Sequence, residues 1–276
     1  MSMKSKFRNT LILIIIILSI IFFIVAAPLQ NIEAPIVKTT PTAENSYTSI
    51  EHVFSKDDSE TNTTSIHITK PVITGLGSEV VRKAINDQIE AVFLDIKNSF
   101  LSETAGVETF SDETKHQLTV TGSAPYVSTE KVFYVDIEVY SYYSGAAHPL
   151  TQRIVLNFVK ETGQLIRLED ILKKDLKSDT FNNALSVLSS ISKPKIIEQL
   201  TSMIKDNKGE GSGADSFEES GADPKLENYK VFYIHKDKIE WVFGQYQVAP
   251  YVFGEIKISV PMSEFEQYIA PRSYLK

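Results

Sequence analysis

The stretch Tyr134–Leu150 constrains the fold most, because it carries a strong strand pattern into a corner of small residues. From Tyr134 to Tyr140 apolar side chains alternate with polar ones, as in a half-buried strand. Residues 144–149 then read Ser-Gly-Ala-Ala-His-Pro, where small side chains let the backbone approach another part of the protein. A second strand is predicted over Arg153–Val159. We therefore expect this corner to lie near the centre of a sheet.

The segment Ser78–Leu101 has the clearest helix pattern. Ser78 is a suitable N-cap, and an acidic residue follows it at the positive end of the helix dipole. The apolar residues recur at spacings of three and four and form one stripe: Val81, Ile85, Ile89, Val92, Ile96 and Phe100. This pattern predicts a helix that packs on a sheet.

Two further helices are predicted over Asp179–Ile191 and Pro194–Lys205. Proline is well tolerated in the first turn of a helix, so Pro194 is expected to start the second one. The following residues, Gly209–Glu227, are rich in glycine and acidic side chains and predict a flexible surface loop.

Strand patterns outnumber helix patterns and do not alternate regularly with them. Lys230–His235 and Lys238–Phe243 are expected to form a hairpin. The predicted fold class is α+β, with an antiparallel sheet, helices packed on one face, and one N-terminal transmembrane helix before it.

The apolar run Leu11–Ala27 contains no charged residue. It is long enough to span a bilayer with some adjustment, and longer than the apolar region of most cleaved signal peptides. Three basic residues precede it, so we expect residues 1–10 to be cytoplasmic and the body to be extracytoplasmic. Residues 28–46 contain three prolines and predict a spacer above the membrane. A signal peptide is the alternative reading of the run.

The composition excludes several functional classes. Asp plus Glu is 35 and Lys plus Arg is 28, a net charge of −7 that argues against nucleic-acid binding and suits a cationic protein partner. The chain has no cysteine, which rules out disulfides and thiol chemistry. The five histidines are scattered without metal-ligand spacing, so no metal, cofactor or catalytic residue is predicted.

Three sequence segments resemble the paired extracytoplasmic domains of unknown function found in the anti-sigma factor RsiV and before the catalytic domain of the peptidoglycan deacetylase PdaC. They read SYYSGAAHP, NFVKETGQLIRLEDIL and QYQVAPYVFGEIKISVP. The resemblance implies two regions, 47–163 and 164–276.

The resemblance implies a sensing or binding module, since the RsiV domains recognise lysozyme. The ligand is accordingly expected to be a lysozyme-like cell-wall hydrolase or peptidoglycan. Neither anti-sigma nor deacetylase activity is expected, because the ten residues before the apolar run are too few to bind a sigma factor and no catalytic domain follows. The alternatives are a wall glycan hydrolase, a deacetylase-associated accessory domain and an assembly subunit of a membrane complex.

The candidate binding residues come from two separate segments: Ser144, Gly145 and His148 at the corner, and Tyr246, Pro250 and Tyr251 between two late strands. We expect the two segments to meet at one end of the sheet, with Tyr246 and Tyr251 as anchors and Ser144 and His148 at the margin. His148 is interpreted as a structural residue that bonds the backbone, with a proton-sensitive contact or a metal ligand as the alternative. The tyrosines could equally belong to a packed edge loop.

Overall fold

A computed structural model describes residues 36–37, 49–111, 114–172, 178–206 and 211–275. The predicted transmembrane segment Leu11–Ala27 lies outside these ranges. None of the helices within them is both long and apolar enough to cross a membrane.

The large sheet contains eight of the described strands, in the order β1-β2-β3-β4-β6-β7-β8, with β5 paired to β6. Their bounds are β1 (Ile36–Val37), β2 (Glu51–Glu60), β3 (Thr64–Gly75), β4 (His116–Gly122), β5 (Tyr126–Val127), β6 (Val132–Tyr142), β7 (Leu150–Val159) and β8 (Leu165–Ile166). Strands β3 and β4 pair in parallel, and the other pairs are antiparallel. The prediction of a purely antiparallel sheet is therefore wrong. Helix α1 (Glu79–Thr104) supplies the crossover that a parallel pair requires.

Helix α1 follows the predicted apolar stripe. The Ser78 hydroxyl caps it by accepting the amide hydrogen of Val81, as the sequence predicts. Ile85, Ile89 and Phe93 are buried on the face of the helix that packs against the large sheet. Burial of this stripe stabilises the first of two main cores.

A smaller antiparallel sheet has the order β11-β10-β9. It consists of β9 (Phe232–Ile234), β10 (Lys238–Phe243) and β11 (Ile256–Pro261), and it confirms the predicted late hairpin. The short helix α2 (Leu168–Ile171) and the long helix α3 (Ser178–Asp206) complete the second core around the fully buried Trp241.

Helix α3 runs without a break through Pro194, so the prediction of two helices is wrong. A proline inside a helix costs about 3 kcal/mol. Leu188, Ile196 and Leu200 are fully buried on either side of it in the second core. Their combined burial outweighs that cost, at about 1.5–3 kcal/mol for each side chain.

The two faces of strands β6 and β7 meet different partners. Phe133, Val135 and Phe158 face the core beneath α1, whereas Tyr134 and Val155 pack against Tyr233 and Val242 of the small sheet. Helix α1 therefore covers one face of the large sheet, as predicted, but the prediction of a single sheet is wrong, because a second sheet covers the other face. The layers are α1, the large sheet, the small sheet and α3.

The acidic segment is ordered over residues 211–227, contrary to the prediction of a flexible loop. It contains 3-10 turns at Gly213–Ser216 and Glu219–Ala222, and a third begins at Leu226. Ala222 is completely buried in the second core. The segment follows this path because Gly213 lies against the backbone of α3 and Gly221 against the backbone of Gln247, in the loop that precedes β11.

Candidate functional site

The corner after β6 and the loop between β10 and β11 meet at one end of the molecule. The Nε2 atom of His148 lies 2.8 Å from the Tyr246 hydroxyl, although the two residues are 98 positions apart. The His148 ring stacks on Tyr251 with 3.9 Å between ring centroids and 25° between ring planes. The predicted juxtaposition of the two segments is confirmed. We call these three residues the aromatic stack.

Both ring nitrogens of His148 have partners. Its Nδ1 atom lies 3.0 Å from the carbonyl oxygen of Pro149, which can only accept, so Nδ1 must carry a hydrogen. In the neutral ring Nε2 is then an acceptor, and the Tyr246 hydroxyl donates to it. His148 thus contacts both tyrosines, whose ring centroids are themselves 5.6 Å apart, so the three rings form a triangle. Its place at the margin of a partner surface stays a prediction. Within the described residues no group of three or more His, Asp or Glu side chains could hold a metal ion.

Tyr246 has an unusual backbone conformation. Its φ of 64° makes it the one residue other than glycine with positive φ among those described. Such a conformation costs about 1–3 kcal/mol and persists only where neighbouring contacts enforce it. The side chain is nevertheless 53% exposed. The fold therefore holds an exposed tyrosine in a strained position, with His148 fixing its hydroxyl.

Pro250 and Tyr251 form the other side of the stack. Pro250 is exposed and immediately precedes the 3-10 turn Tyr251–Phe253, which ends at Gly254 with φ of 66°. Tyr251 is half-buried, and its ring lies 5.6 Å from that of Tyr246. The rings of both tyrosines therefore lie at the surface and contact the ring of His148.

Ser144 and Gly145 occupy the outer edge of the corner. The Ser144 hydroxyl accepts the amide hydrogen of Phe110 at 2.6 Å, and its own amide donates to His116 Nδ1 at 3.0 Å. Gly145 has φ of 88° and lies against the Phe110 side chain. Ser144 therefore holds the turn in place and fixes the backbone of Phe110 beside it, and its position at the margin of a partner surface stays a prediction.

Gln247 anchors the tyrosine loop to the acidic segment. Its side-chain amide donates to the carbonyl oxygens of Gly221 and Asn228, each at 3.0 Å, and its Oε1 accepts the amide hydrogen of Gly244. A side chain on Gly221 would overlap the Gln247 backbone. Sequence reasoning missed this support because glycine and acidic residues are typical of mobile loops.

An ion-pair network lies next to the stack, between the two sheets. In β7, Arg153 Nη1 donates to both carboxylate oxygens of Asp136 and Nε to both of Glu255 at 2.8–3.0 Å, and Nη2 makes a longer bond to Glu138. Partial burial acts to lower the pKa of Arg153, but the bonds to Asp136 and Glu255 outweigh it and raise that pKa. Burial raises the pKa of Tyr233, whose hydroxyl donates to Asp136. The network links β7 to Glu255, the residue before β11. It therefore fixes the corner that carries His148 relative to the loop that carries the two tyrosines.

Two family models match consecutive regions of the chain. Residues 58–151 match the family model described as deacetylase PdaC, and residues 158–263 match the model described as a protein of unknown function, DUF3298. No curated protein matches the chain.

Two solved structures share the fold. A DUF3298 family member from Bacteroides fragilis is 13% identical with a TM-score of 0.55, and the match covers 82% of this chain and 96% of that one. A DUF3298 family protein from Pseudomonas aeruginosa is 11% identical with a TM-score of 0.51, covering 80% and 94%.

Proposed function

We propose a binding function for this chain, which carries a PdaC-type domain followed by a DUF3298 domain. The chain is a membrane-anchored, extracytoplasmic module that recognises a lysozyme-like cell-wall hydrolase or peptidoglycan. Its N-terminus is cytoplasmic, residues 11–27 hold it in the membrane as a single span, and the aromatic stack is its binding surface.

The observation that carries the proposal is the assembly of the aromatic stack. Three rings from two distant segments stack at the surface, and one of them, Tyr246, is held at positive φ while 53% exposed. Tyrosines offer large contact areas with a polar tip and are enriched among the residues that dominate binding energy. Neither the strain nor the exposure stabilises the core, so a ligand explains the arrangement better than packing does.

The charge of the surroundings supports a cationic protein as one of the two ligands. The chain has a net charge of −7, and the four side chains of the ion-pair network beside the stack, Asp136, Glu138, Arg153 and Glu255, include three carboxylates and one cation. An acidic surface attracts a basic partner and speeds association. The similarity of residues 58–151 to a model named for a deacetylase supports peptidoglycan, and favours an accessory role beside a wall enzyme as the second candidate.

The experiment measures binding of the full-length protein, purified in detergent, to immobilised lysozyme and to sedimented peptidoglycan. Wild type should bind at least one of the two. Replacement of Tyr251 by alanine should weaken that binding by about 2 kcal/mol, the loss expected for an anchor residue. Tyr126→Ala is the matched control, since Tyr126 is exposed and, like Tyr251, stacks on a neighbouring aromatic ring, but lies near the opposite end of β6. Equal loss in both variants, or no wild-type binding to either probe, refutes the proposal.

The anchor has its own test. The full-length protein should sediment with membranes, and protease added outside should degrade the chain beyond about residue 28 without reaching residues 1–10. A soluble product that begins near residue 28 would show that Leu11–Ala27 is a cleaved signal peptide.

A further inference from the structure

Phe110 is the most exposed aromatic side chain in the described part of the protein. It is 82% exposed, yet its backbone is fixed because its amide donates to Ser144 Oγ at 2.6 Å. Its side chain lies against Gly145, three residues before His148. A phenylalanine is thus held in solvent at the corner side of the aromatic stack.

Val252 is similarly placed on the other side. It is 84% exposed and directly follows Tyr251 in the 3-10 turn that supports that ring. Gly254 closes the turn at φ of 66°, which fixes the direction of the loop tip. Single exposed apolar residues are common on protein surfaces, but several around one built cluster mark an interaction site.

From this arrangement we infer that the occupant of the aromatic stack is a folded protein, and that Phe110 and Val252 insert into apolar pockets on it. The inference rests on the proposed function and chooses between its two ligands. A glycan strand is covered with hydroxyl and amide groups, and burying these against a valine tip would leave them without hydrogen bonds. A protein surface with apolar pockets buries the same side chains favourably.

The charged residues near this surface indicate which charges the partner carries around its apolar pockets. Glu108 is exposed two residues before Phe110, and the Glu138 side chain is 53% exposed, with one longer contact to Arg153. Arg153 is already engaged by Asp136 and Glu255 and is only 16% exposed. The partner therefore presents basic groups around its apolar pockets, as charge complementarity requires.

The test compares Phe110→Ala and Val252→Ala with a matched control, Val80→Ala, in the full-length protein. Val80 is 79% exposed at the N-terminal end of α1, about 35 Å along the helix from Glu103, which bonds to Tyr143 at the corner. Each test variant should weaken binding to immobilised lysozyme about fivefold or more, while Val80→Ala should leave it unchanged. All three side chains are largely exposed, so thermal unfolding of the variants should match that of wild type.

The outcomes separate this inference from the proposed function. If wild type binds lysozyme and Tyr251→Ala weakens it, but Phe110→Ala and Val252→Ala do not, the flanking contacts are refuted and the binding function stands. If wild type binds peptidoglycan alone, a protein occupant is refuted and the binding function again stands. If wild type binds neither probe, both fail.

Discussion

The buried side chain of Asn157 should be essential to the junction between the two sheets. Asn157 lies in β7 and is completely buried. Its Nδ2 donates to the carbonyl oxygen of Phe232 at 2.8 Å, and its Oδ1 accepts the amide hydrogen of Ile234 at 3.3 Å. The side-chain amide thus supplies hydrogen-bond partners to the backbone groups at the outer edge of β9, as a neighbouring strand would.

The expected loss follows from these two bonds. Asn157→Ala leaves the buried Phe232 carbonyl and Ile234 amide without partners, and each unsatisfied group costs about 1–3 kcal/mol. The variant should therefore lose about 2–6 kcal/mol of the free energy of unfolding, measured by urea denaturation followed by fluorescence of Trp241, the single tryptophan. Because β7 follows the corner that carries His148, and β9 pairs with β10, which precedes the tyrosine loop, binding should weaken as well.

The matched control is Asn183→Ala, which changes an exposed asparagine in α3. Alanine has the higher helix propensity, so this variant should lose no stability. An Asn157→Ala protein within about 0.5 kcal/mol of wild type, below the cost of one unsatisfied group, would refute the reasoning.

Three further changes test the supports of the site. Arg153→Met leaves Asp136 and Glu255 facing each other without a cation and should cost about 3 kcal/mol of unfolding free energy in urea, whereas an unchanged midpoint would contradict a role for the network. Gly221→Ala should lower the melting temperature because its Cβ would overlap the Gln247 backbone, whereas Gly244→Ala, which has open space, should not. Burial lowers the pKa of His235 below its usual value near 6.5. The folded state therefore favours the neutral form of His235. The stability that this group contributes is complete above its unfolded pKa, near 6.5, and is lost as the pH falls from there through the lower folded pKa. Unfolding free energies at pH 7, 6 and 5 should fall less in His235→Gln than in wild type, and parallel pH curves would contradict this.

Much of the local structure could be predicted from the sequence. The cap at Ser78 and the stripe of α1 depend on contacts between residues three and four positions apart, and the late hairpin depends on alternation and turn residues. The meeting of the corner with the Tyr246–Tyr251 loop was also predictable, because both segments interrupt strong strands with residues unsuited to a core.

Part of the site could not be predicted, because its supports are contacts between distant segments. Nothing near Gln247 in the sequence indicates that its amide bonds to Gly221, and nothing near Asn157 indicates that it completes the edge of β9. The composition of residues 209–227 is typical of a mobile loop, whereas contacts with α3 and with the tyrosine loop fix the path of residues 211–227.

Residue order alone specifies the helix and strand patterns, the acidic charge and the two segments that carry the aromatic stack. Four features depend on contacts between distant segments: the parallel pairing of β3 and β4, the continuation of α3 through Pro194, the contact of His148 with both tyrosines, and the position of Phe110 against Gly145. Periodicity specifies which face of an element is apolar, but not which distant face covers it. That choice is made by the sum of buried area and satisfied hydrogen bonds over the whole fold.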